Sequence, residues 1–146
     1  MALGPFRSEQ VYDPQFEELV EHICQRPSMY VHPATFGGVC AYLEGFNAAR
    51  DGGPLLGLRE WLILRINGWN NMSWSRLAGQ LLTGDHVVAA CSNDEDLIGG
   101  LGRLLKEYLE YRTTVGLCKL FFDYGHWLRN QDWYSGPLRA ELADDA

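Results

Sequence analysis

The chain has 146 residues and a formal net charge of -7, with a pI near 5.0, which weighs against nucleic acid because phosphate-backbone binding needs clustered Lys and Arg. Apolar residues make up 47% and charged residues 21%, so residues 1–146 read as one domain with an ordered core from about 12 to 135. No apolar run approaches the roughly 20 residues that cross a bilayer, and the start MALGPFRSEQVYD lacks a basic stretch followed by an apolar one, which predicts a cytoplasmic protein.

Asp13-Pro14 opens the first helix, since Asp caps well and Pro suits the first helical position. Phe16, Leu19, Val20 and Ile23 then recur at helical spacing, and Pro27 stops the helix near Gln25 or Arg26 by disfavouring helical geometry in the residue before it. The stretch RPSMYVHP, residues 26–33, is therefore a corner, and Met29, Tyr30 and Val31 are expected to turn inward. Pro33 and Thr35 prepare a second helix with Phe36, Val39, Cys40, Leu43 and Phe46 on one face. Gly37, Gly38 and Gly45 on that helix suggest close approach by another backbone, which offsets the helix stability that glycine costs.

DGGP at 51–54 ends the second helix, and a third is expected over 55–66, burying Leu58, Trp61, Leu62 and Ile66. After the turn-rich NGWNNMS, a shorter helix follows Ser73 and includes Trp74, Leu77 and Leu81. Ser92-Asn93-Asp94-Glu95 has the form of a capping box, with Leu97, Leu101, Leu104, Leu105, Tyr108 and Leu109 striping the helix behind it to about Tyr111. LCKLFFDYGHWL reads as a last helix through Leu117, Leu120, Phe121, Tyr124 and Leu128, with a short strand over 115–122 as the alternative. The tail at 137–146 is acidic. The sum is an all-α domain of five or six helices with short connections and antiparallel neighbours.

Cys24, Cys40, Cys91 and Cys118 form no C-x-x-C pair, and three of them fall on apolar helical faces, which predicts buried, reduced thiols. No spacing supplies a metal-ligand set, and no cofactor-binding motif is visible. The segment RPSMYV also resembles the R-P-x-M-Y-[IV] segment of type II topoisomerase ATPase subunits. Glu44 and Asn47 echo a further part of that pattern, but no D-x-G-x-G follows, and GGLGR at 99–103 lies inside the leucine-striped helix.

A longer similarity runs from about Phe16 to Tyr111: RPSMY at 26–30, GFNAA at 45–49, REW at 59–61, SWSRL at 73–77 and SNDEDL at 92–97. In that order these elements resemble small bacterial proteins grouped with the immunity proteins of toxin systems. The resemblance implies a binding role with a protein partner, such as a toxin, and no catalytic residues. The longer, Trp-rich C-terminal segment departs from the family pattern.

Several residues could carry chemistry. Tyr30 and His32 alternate along the corner and would share a side, which suits acid–base work, or the Tyr packs and the His faces solvent. Asp85-His86 joins a carboxylate to an imidazole in a turn. Asp123 and His126, three apart, share a helical face and could relay a proton, or with a third ligand hold a metal. The aromatics Trp69 and Trp74 flank a polar loop, and Trp127, Trp133 and Tyr134 cluster near the C-terminus, where rigid rings with polar handles suit protein interfaces and small-molecule pockets alike. Two functions follow: a protein-binding module, or a small tailoring or ligand-binding protein of a biosynthetic pathway with an aromatic pocket and a His/Asp pair. A symmetric homodimer through the stripe at 97–109 or the glycine-bearing second helix is a further expectation.

Overall fold

The computed structural model describes residues 12–84 and 93–136. Asp85-His86, Cys91, Ser92 and the tail at 137–146 lie outside them. Among the described residues the protein is all-α, with six helices: α1 (Pro14–Gln25), α2 (Phe36–Ala49), α3 (Leu58–Ile66), α4 (Trp74–Thr83), α5 (Asp94–Thr114) and α6 (Leu117–Arg129). No strand occurs among these residues, and 115–122 belongs to the start of α6.

The helix starts follow their capping chemistry. Asp13 accepts the amide of Phe16, and Thr35 accepts the amide of Gly38, each satisfying a donor that the helix itself leaves free. At α5 the cap is Asn93, which accepts the amide of Asp96 at 2.8 Å; the helix therefore begins one residue later than a Ser92 cap requires. That shift leaves the Asp94 carboxylate free to reach across to α2, where it accepts the amide of Phe36 at 2.8 Å.

Two polar ties align α2 with α5. Asp94 joins their N-terminal ends, and Arg112 joins their C-terminal ends by donating to the carbonyls of Gly53 and Pro54 at 3.1 and 2.8 Å. The two helices thus run the same way. α1 runs opposite to α2, with Phe16 against Phe46 near one end, and its Cys24 packs against Gly102 of α5. The core fills the space between the helices with Phe16, Ile23, Leu43, Leu58, Leu62, Ile63, Leu77, Leu101, Leu105 and Tyr108, all essentially sealed from solvent. Each such side chain contributes roughly 1.5–3 kcal/mol of burial free energy.

The glycines that admit close neighbours are not those of α2. Gly37 and Gly45 face open space, and Gly38 approaches only the corner and its own cap. The close contacts lie on α5, where a β-carbon at Gly100 would meet Leu82 at 2.8 Å and one at Gly102 would meet Cys24 at 3.0 Å. The leucine stripe of α5 is likewise inside the molecule, so neither face expected for a homodimer is available in that form.

The corner at 26–33 holds a 3-10 turn, Pro27–Met29. Tyr30 packs edge-on against Tyr42, with ring centroids 5.6 Å apart, and Val31 packs on the core. Met29 does not turn inward and is 73% exposed, because the tight turn swings its side chain away from the helices. On α3, Ile63 rather than Ile66 completes the buried face.

Asn47 is the buried polar residue of the core, and its Oδ1 accepts the amide of Leu55 at 2.9 Å, clasping the loop between α2 and α3. Glu44, one turn earlier, accepts the indole N–H of Trp74. The Glu44/Asn47 pair is therefore part of the scaffold. No buried side-chain polar atom lacks a partner among the described residues.

Candidate functional site: an aromatic corner

α6 is seated on α3 in parallel. Near its start, Leu117 and Leu120 close over Gly57, whose φ of +86° and absent β-carbon make room for them; a β-carbon there would lie 2.8 Å from both. Near its end, the Trp127 indole N–H donates to the side-chain oxygen of Asn67 at 2.7 Å, and the Tyr124 hydroxyl donates to that of Asn70.

Both asparagines come from the loop that joins α3 to α4. Asn67 ends α3 in the left-handed region, with φ of +60°, which Asn tolerates better than other side chains. Trp69 follows with φ of +67°, an uncommon state for a large residue that persists only where surrounding packing holds it, and its ring packs on the core.

Three rings then form a ladder. Tyr124 stacks on Trp127 with centroids 6.0 Å apart and planes 20° from parallel, and Trp127 meets Trp133 edge-on at 6.3 Å and 66°. These are favourable aromatic geometries. The chain beyond α6 is brought back by the side chain of Gln131, which donates to the carbonyl of Trp127, and by the backbone turn from Gln131 to Tyr134. Trp133 ends the ladder at 58% exposure, and half-buried Tyr134 follows it.

The other predicted residues fall elsewhere. Trp74 turns to Glu44 on α2 and does not join the ladder. Asp123 is engaged by Lys119 at 2.9 and 3.1 Å, whereas His126 faces solvent beside Asn130 at 3.1 Å, so α6 places both on its surface without pairing them. Tyr30 is packed and His32 is exposed; they occupy different environments and form no pair. No group of three His, Cys, Asp or Glu side chains able to hold a metal occurs among the described residues.

A cleft of about 450 Å³ lies between Tyr12, Asp13, Gln15, Arg50 and Pro54. Its one cation, Arg50, is already held by Gln15, by Asp13 at 3.8 Å and by the face of Phe46. Cys24 and Cys40 are free thiols pushed up to about 11 and about 12 by burial, with Cys24 adding to the shift at Cys40, so both are poor nucleophiles at neutral pH. Cys118 is also free, but it is exposed, contrary to the expectation of a buried thiol, because it lies on the outer side of α6.

Sequence reasoning missed Asn67, Asn70 and Tyr124 as parts of the corner. Two asparagines in NGWNN were a usable signal, since amide side chains in tight turns present acceptors to whatever packs above them. No helix among the described residues is long and apolar enough to cross a membrane. No family model, no curated protein and no solved structure matches the chain.

Proposed function

We propose that this protein is a cytoplasmic binding module that engages a protein partner through the aromatic corner, in the manner of the immunity proteins that its RPSMY, GFNAA and SWSRL segments resemble. The observation that carries this reading is Trp133: an indole 58% exposed to solvent, yet held by an edge-on contact to Trp127, which is itself tied to Asn67. A large ring fixed before binding loses little conformational entropy on contact, and exposed Trp and Tyr with rigid backing are the side chains that most often anchor protein interfaces. The net charge of -7 favours a basic partner, such as a toxin that acts on nucleic acid, through long-range steering.

A binding role also agrees with the titratable groups. Asp123 is paired with Lys119 and His126 points outward, so the two lack the mutual geometry that acid–base chemistry needs.

The test is affinity capture from the native cell with quantitative proteomics, run in parallel on the wild type, Trp133→Ser and Met29→Ser. Met29 serves as an exposed apolar residue outside the corner. The expected result is a protein enriched by the wild type and by Met29→Ser and lost with Trp133→Ser. A metabolite-sized ligand found by thermal-shift screening, bound beside Trp127 and His126 with no protein recovered, overturns the proposal in favour of a small-molecule site.

A further inference from the structure

α6 carries a second apolar face, directed away from the core. At 100° per residue, Cys118, Phe121, Phe122 and Gly125 fall within an arc of about 100°. Leu117, Leu120, Tyr124 and Trp127 occupy the inward side. Phe121 is 40% exposed and Phe122 70% exposed, Cys118 is exposed, and nothing but the tip of Arg129, at 4.0 Å, lies near Gly125. Two adjacent phenylalanines left open on a well-formed helix cost solvation free energy that a partner surface recovers.

The pattern of this face is symmetric about one point. Phe121 and Phe122 straddle the centre, and the small residues Cys118 and Gly125 stand at equal distances on either side. The flanking charges share almost the same centre, because Lys119 and Asp123 lie symmetrically about residue 121 and are joined at 2.9 Å. A twofold axis through that point would set each phenylalanine pair against its copy and each small residue opposite a small residue. It would also set Lys119 of one chain beside Asp123 of the other, so the charges of this flank complement themselves in the antiparallel arrangement and repel in the parallel one.

We infer that a second copy of this chain covers the Phe121/Phe122 face, through antiparallel pairing of α6 with its twofold mate. The surface lies on the opposite side of α6 from Trp127, so it is separate from the aromatic corner and independent of the role proposed for it. One helix pair buries less than the roughly 1,200 Å² of a stable interface, so the dimer is weak and depends on concentration.

Sedimentation equilibrium from about 5 to about 500 µM tests this, because that span brackets the dissociation constants expected of small interfaces. The wild type is expected to pass from monomer to dimer across the range. Phe122→Ser and Lys119→Glu should each weaken association by about tenfold, and the exchange Lys119→Glu with Asp123→Lys should restore it, with circular dichroism showing an intact fold in all variants. A wild type that stays monomeric throughout overturns the inference. So does a dimer indifferent to Phe122→Ser and Lys119→Glu, or one that the double exchange fails to restore.

Discussion

Replacing Gly57 with Ala perturbs the joint that seats α6 and should be among the most damaging single-methyl changes in the protein. Gly57 precedes α3 with φ of +86°, and an added β-carbon would lie 2.7 Å from the Tyr108 hydroxyl and 2.8 Å from Leu117 and Leu120. The left-handed backbone costs an alanine roughly 1–2 kcal/mol. Overpacking against side chains that are themselves confined adds roughly 1–3 kcal/mol. Tyr108 cannot yield easily, because its hydroxyl donates to the carbonyl of Leu56 and its ring packs on Trp61 at 5.3 Å. Gly52→Ala supplies the control: φ there is +78°, but nothing lies within 4 Å of the added carbon, so only the backbone term applies. Urea unfolding followed by Trp fluorescence should give losses of about 2–5 kcal/mol for Gly57→Ala and about 1–2 kcal/mol for Gly52→Ala. Equal losses for the two variants would refute the packing argument and leave α6 free of the constraint assigned to Gly57.

Asn47→Ala leaves the amide of Leu55 without its acceptor and should cost about 1–3 kcal/mol in the same unfolding experiment. Maleimide labelling of the native protein at neutral pH, mapped by mass spectrometry, should modify Cys118 and spare Cys24 and Cys40, which become reactive only in denaturant. Stability should fall at alkaline pH. Burial raises the Cys24 thiol to about 11 and the Cys40 thiol to about 12 from an ordinary value of 9.0, and also raises the Tyr108 hydroxyl from 10.0. Each group favours the folded state while protonated, so this contribution is complete below about pH 9 and is lost as pH rises toward 12; a Tm flat from pH 8 to pH 11 would contradict it.

Much of the scaffold was legible because it rests on local chemistry. Asp13-Pro14 and the arrest before Pro27 bound α1 correctly, and the leucine spacing of α5 identifies its buried side. What the sequence left open depends on distant partners. α6 has apolar residues on two sides, and only the fit of Leu117 and Leu120 over Gly57 decides that Phe121 and Phe122 face outward. Met29 was misplaced for a related reason, since a three-residue turn changes side-chain direction faster than helical or strand periodicity can follow. The glycine contacts moved from α2 to α5 because close approach depends on which face meets a neighbour. In the candidate site, Trp127 and Trp133 were visible as clustered aromatics, but Trp127 gains its fixed position from Asn67, 60 residues away, and Tyr124 from Asn70, 54 residues away. No local pattern links such pairs.

The most direct test of a partner-binding aromatic corner is the dissociation constant of the captured protein, measured by titration calorimetry against the wild type, Trp133→Ser and Met29→Ser. Trp133 is the exposed end of the ladder, so its removal should leave the fold intact while deleting an interface anchor. An anchor of this kind is worth about 2 kcal/mol or more, which predicts binding weakened by about thirtyfold for Trp133→Ser and by no more than about twofold for Met29→Ser. Equal affinity for the wild type and Trp133→Ser would contradict the account and move the partner's contact away from the corner.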